Sequence, residues 1–142
     1  MEIRPYAEAD ERAVVDLWGG ALGYDAPHNE PVAAIRRKLA YQRELFFVAT
    51  LDGRLAGTVM AGYDGHRGWI YSLAVAPDLR RRGVGRALLV HAEGALTARG
   101  CPKINLQVVG TNAEVVGFYR ALGYRVEDRV SLGKILPVPD RR

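Results

Sequence analysis

The residue types best suited to chemistry are concentrated in one stretch. From Pro77 to Gly100 the chain reads PDLRRRGVGRALLVHAEGALTARG, with Arg80, Arg81, Arg82 and Arg86 set around Gly83 and Gly85. Guanidinium groups give charge-assisted hydrogen bonds to phosphate and carboxylate. Glycine removes the Cβ that would keep such an anion away from the backbone. Val84, Ala87, Leu88, His91, Ala92 and Ala95 then fall on one helical face, with Arg86, Glu93 and Arg99 off it. A glycine turn between a strand and a helix presents unpaired N–H groups at the positive end of the helix, which is a ready anion site. Two other readings fit the arginines alone: a solvated basic face, or a nucleic-acid contact. The second is disfavoured, because the basic residues are not spread along one face and no RNA- or DNA-binding motif accompanies them.

The usual nucleotide loops do not fit. No Gly-Lys-Ser/Thr follows at the spacing of a P-loop. The dinucleotide fingerprint fails because Leu88 stands where the third glycine belongs. Cys101 is the one cysteine, so no intramolecular disulfide forms, and no His/Cys/Asp spacing points to a metal. Asp25, His28, Glu30, Asp64 and His66 lie in loop-like segments, where a proton acceptor or a cation-binding carboxylate could sit.

These residues need a scaffold, and the chain is long enough to build one. Its 142 residues are 49% hydrophobic and 25% charged, with a net charge of +4. That composition belongs to one globular domain, spanning residues 1–142, and the mild positive charge favours anionic partners. No run reaches the roughly 20 apolar residues of a membrane helix, and no signal-peptide core is visible, so a cytoplasmic setting is expected. A strand is expected at Glu2–Tyr6, then helices at Ala9–Gly19 and Val32–Arg43. Asp52-Gly53 is a tight-turn dipeptide and predicts a hairpin of Leu45–Leu51 with Arg54–Tyr63. Trp69–Val75 is a further strand, stopped by Pro77. The helix after the arginines ends at Gly100. Lys103–Val109 is a strand, 112–122 a helix ending at Gly123, and Tyr124–Leu136 one or two short strands. Hairpins beside crossovers predict a mixed α/β fold: a central, mostly antiparallel sheet of six to seven strands with helices on both faces.

LAVAPDLRRRGVGRALL resembles the acyl-CoA-binding motif of the GNAT superfamily of N-acetyltransferases. Its core, Gln/Arg-x-x-Gly-x-Gly/Ala, is matched by Arg80, Gly83 and Gly85. EIRPYAEADERAVVDLW is similar to the family's opening strand and helix. NAEVVGFYRALGYRV is similar to its second block, with Asn112, Tyr119, Gly123 and Tyr124 in place. The chain looks most like small bacterial members near the ribosomal-protein alanine acetyltransferases. The resemblance implies acetyl-CoA as co-substrate, held by Leu73, Ala74 and Val75 on the strand, by Arg80, Arg81, Arg82, Gly83, Val84, Gly85 and Arg86 in the turn, and by Asn112 and Tyr119. It implies direct attack by an acceptor amine, with Tyr119 protonating the departing thiolate and no metal. Because many relatives pair through their C-terminal strands, it also leaves room for a homodimer. Gln107 stands where the ribosomal alanine acetyltransferases carry a glutamate base, and an amide cannot take a proton at useful pH. A non-catalytic acyl-CoA sensor on the same fold therefore remains the alternative to an enzyme.

Overall fold

The computed structural model describes residues 1–22, 28, 30–110 and 112–137. Its contacts divide into two units, residues 1–107 and 108–142. The first carries five strands, β1 (Glu2–Pro5), β2 (Phe46–Leu51), β3 (Arg54–Tyr63), β4 (Gly68–Val75) and β5 (Ile104–Asn105). They lie side by side in chain order, antiparallel except for the parallel β4–β5 pair. Among the described residues, three α-helices accompany them: α1 (Glu11–Ala21), α2 (Pro31–Leu39) and α3 (Val84–Ala98).

The expected hairpin forms at Asp52-Gly53, both at positive φ (53° and 76°), the combination of a two-residue primed turn. The first helix is shorter at its start than its sequence suggested. Glu8–Asp10 forms a single 3-10 turn, where Asp10 accepts from the Ala7 amide and takes a bidentate bond from Arg4.

Alternation along the strands divides the core in two. Phe46, Val48, Met60 and Ala74 join Trp18 and Val14 of α1 and Ile35 of α2 in one buried cluster. The other face receives α3, which packs on β2, β3 and β4. Gly57 shows how tight that second layer is. A Cβ there would lie 2.6 Å from the Ala74 carbonyl oxygen, 2.9 Å from Leu88 and 3.1 Å from Val84. Val84 and Leu88 belong to the first turns of α3, so Gly57 sets how closely the start of α3 approaches the sheet.

The sheet is shorter than expected. Lys103–Val109 contributes only Ile104–Asn105, paired with Gly68 and Trp69. Segment 124–137 carries no strand of its own, so five strands are assigned among the described residues rather than six to seven. The apolar residues of these segments gave a strand-like pattern, but pairing depends on partners that pattern does not name.

The second unit holds α4 (Ala113–Ala121). The Asn112 side chain caps it by accepting from the Val115 amide. Gly123 at φ 95° closes it, with the Tyr124 amide on the Tyr119 carbonyl and the Gly123 amide on the Arg120 carbonyl. Gly100 ends α3 by the same double bond pattern, as glycine after a helix should.

Replacing Gly57 by valine should force α3 off the sheet. The expected outcome is a loss of about 1–3 kcal/mol in denaturant unfolding, with a weakened anion site at the start of α3.

Candidate active site

Strand β4 is the part of the sheet with unusual geometry. Its pairing with β3 shifts register between Thr58 and Met60, so that Ser72 and Leu73 stand opposite Val59 alone. This is a β-bulge, and Ser72 sits in it at φ 50°, a left-handed conformation that costs a non-glycine residue about 1–2 kcal/mol. Two hydrogen bonds hold it. Trp18 Nε1 donates to Thr58 Oγ1 at 2.9 Å, and Thr58 Oγ1 donates to the Ser72 carbonyl at 2.8 Å.

Beyond the bulge, the direction of each peptide follows from one bond. The Ala76 amide donates to the Ala56 carbonyl on β3 at 2.8 Å. Alternate residues of a strand address the same neighbour, so Ala74, opposite Thr58, also turns its backbone to β3. Leu73 and Val75 therefore turn theirs outward. On that side β5 pairs only with Gly68 and Trp69, so Leu73 and Val75 present a strand edge that β5 does not cover.

The chain then runs through a 3-10 turn, Pro77–Leu79, into the arginines. Leu79 and Val84 are buried and pin the two ends of the loop, while Arg80, Arg81, Arg82 and Gly83 are exposed between them. Arg81 at φ 65° and Gly83 at φ 78° both lie in the left-handed region. The first α3 bond runs from the Ala87 amide to the Gly83 carbonyl, and no side chain caps the helix. Among the described residues, the amides of Val84, Gly85 and Arg86 in the first turn of α3 have no partner within the helix. Arg80, Arg81, Arg82 and Arg86 make no salt bridge there either. Open N–H groups at a helix start beside exposed guanidiniums can take a phosphate-bearing ligand. Arg54 grips Asp78 of the preceding turn with two bonds, at 2.6 and 2.7 Å, a tether that sequence spacing does not reveal. This bridge holds the Asp78 carboxyl below its ordinary value.

The loop carboxylates expected as proton acceptors have other tasks. Glu30 caps α2, accepting from the amides of Val32 and Ala33, and these bonds lower its pKa. Asp64 closes the β3–β4 turn by accepting from His66 and Arg67, and its pKa is lowered by the same bonds. A lowered pKa makes each a weaker base. The His28 carbonyl accepts from Arg37, and the His66 ring lies 3.5 Å from the Arg67 guanidinium. Asp25 lies outside the described residues. His91 sets its ring against Phe47, edge to face, with centroids 4.5 Å apart.

In the second unit, Tyr119 packs edge-on against both Phe118 and Tyr124. Burial pushes its phenol up to about 12, so the hydroxyl keeps its proton throughout the neutral range.

A strand edge left open by β5 and leading into an arginine-glycine turn can hold a long ligand with a phosphate at one end. The comparisons with known proteins name the class. Residues 12–124 match the acetyltransferase (GNAT) family. An acetyltransferase of Pectobacterium atrosepticum is 46% identical over 141 residues, covering 99% of both chains. The structure of the ribosomal-protein alanine N-acetyltransferase of Escherichia coli is 28% identical with a TM-score of 0.69, over 86% of this chain and 76% of that one. An N-acetyltransferase of Thermoplasma acidophilum, solved in complex with coenzyme A, has a TM-score of 0.70 at 22% identity, over 91% and 92% of the two chains. The chain belongs to the GNAT acetyltransferase family and is an acyltransferase.

Asp64→Asn keeps the turn's acceptor oxygen and removes the charge. Acetyl transfer by this variant should stay within about threefold of the parent. Glu30→Ala should lower stability by about 1 kcal/mol through loss of the cap, read from thermal unfolding.

Proposed function

We propose that the protein transfers an acetyl group from acetyl-CoA directly to a primary amine, within one catalytic domain in the cytoplasm. The observation that carries this reading is the continuity of the outward edge at Leu73 and Val75 with the arginine-glycine turn and the open first-turn amides of α3. A strand edge pairs with the amide-bearing pantetheine arm as it would with a peptide. The turn amides and Arg80, Arg81, Arg82 and Arg86 take the phosphates. The match of the family over residues 12–124 supports a single domain, and the coenzyme A complex of the Thermoplasma relative supports the choice of ligand.

When bound, acetyl-CoA supplies a thioester carbonyl open to attack by an amine. The chain's residues then have separate tasks. An outward N–H of the Leu73–Val75 edge is placed to receive the negative charge that grows on the carbonyl oxygen. Tyr119 serves as the acid that returns a proton to the thiolate, and its raised pKa keeps that proton available at neutral pH. Asn112 spends its oxygen on the α4 cap and keeps its NH2 group as a donor for the cofactor. Gln107 removes the glutamate base of the ribosomal relatives, and Glu30 and Asp64 are engaged in caps and turns. The amine therefore arrives neutral or loses its proton through water. The acceptor is a protein N-terminus, a lysine or a small amine, and an acetyl-transfer screen over these classes identifies it.

Calorimetry with CoA should show binding to the parent protein. Gly83→Val forces a β-branched residue into φ 78° and should weaken that binding at least about tenfold. Absence of CoA binding to the parent would overturn the reading. Tyr119→Phe should lower kcat about 100-fold with CoA affinity unchanged. With Tyr119 in place, its own ionisation should cause no alkaline fall in kcat below pH 10, its ordinary pKa.

A further inference from the structure

We propose that Thr58, anchored by Trp18, is a positioning residue that aims the carrier-binding edge of β4; this rests on the acyl-CoA reading above. Thr58 is the buried polar side chain among the described residues, and it is wholly buried. Its hydroxyl has one possible orientation. The indole N–H of Trp18 can only donate, and the Ser72 carbonyl can only accept, so the hydroxyl receives one bond and gives the other. Trp18 cannot move to accommodate a different arrangement. It is fully buried, stacked on Phe46 with ring centroids 5.9 Å apart.

What the hydroxyl holds is the Ser72 carbonyl, inside the bulge. The bulge determines which residues of β4 face outward. Strand side chains and peptide groups alternate with period two, so a one-residue slip exchanges every inward group for an outward one. Without the extra residue at 72–73, the stretch after it would turn the backbone of Ala74 to the open edge and those of Leu73 and Val75 to β3. Ala74 would also leave the buried cluster it shares with Trp18 and Met60. Glycine is the usual occupant of a left-handed bulge position. Here a serine holds it at φ 50°, and the Thr58 bond offsets the strain. The Thr58 hydroxyl is spent on Trp18 and Ser72 rather than on the turn. Its influence on the ligand should reach the pantetheine arm and spare the nucleotide end.

That separation gives the test. Affinities for CoA and for its nucleotide half, adenosine 3′-phosphate 5′-diphosphate, are measured by calorimetry on the full chain, together with kcat for acetyl transfer. Thr58→Val keeps the shape and removes both bonds. It should weaken CoA binding about tenfold and lower kcat by a similar factor, while affinity for the nucleotide half stays within about twofold. Thr58→Ser restores the hydroxyl and should recover most of both losses. If Thr58→Val fails to fold, Trp18→Phe carries the same comparison, since it removes the anchoring donor and leaves an aromatic ring. Equal CoA affinity in parent and variant overturns the proposal, as does an equal loss for CoA and for the nucleotide half. A parent that binds neither ligand would instead overturn the acyl-CoA reading itself.

Discussion

The hydrogen-bonded chain from Trp18 through Thr58 to the Ser72 carbonyl is the interaction on which the site depends. It joins α1 to the middle of the sheet and ends where β4 leaves its regular register. A buried hydroxyl costs stability unless it is fully bonded, and this one is bonded on both sides. The same bonds that make Thr58 tolerable in the core fix the strained Ser72. Stability of the first unit and geometry of the site are therefore coupled through one side chain.

The other constraint is packing against the opposite face. Gly57 lets α3 sit close to β3 and β4, and the position of α3 sets the position of its unpaired amides. Arg54 and Asp78 tether the entrance to the turn from the β3 side, with both side chains largely exposed. An exposed pair of this kind adds little to global stability, but it restricts the loop that precedes the arginines. The site thus has a strand edge fixed from one face of the sheet and an anion turn fixed from the other.

Much of this was legible in the amino-acid sequence. Asp52-Gly53 gave the hairpin, Gly100 and Gly123 gave helix ends, and the glycines among the arginines gave the turn that starts α3, because each is a local rule about φ or a missing Cβ. The bulge was not legible. Its left-handed residue is Ser72, in a strand-like run WIYSLAV with no glycine to mark it. Its anchor, Trp18, is 40 residues from Thr58 in the chain, and nothing in either local pattern pairs them. Glu30 before Pro31 carries a readable helix-start signal, and it is that cap rather than a free loop carboxylate. The short β5 was also hidden, since a strand's length is decided by the partner beside it.

The central claim is that the outward edge at Leu73 and Val75 and the turn and helix start at residues 81–86 form one continuous acyl-CoA site. Backbone amide NMR of the full chain during a CoA titration tests it most directly. The account predicts that the largest shifts fall on Leu73, Val75 and the amides of residues 81–86, saturating together with one affinity. Saturation by CoA with those amides unmoved, or with the turn responding and the strand edge silent, would contradict it.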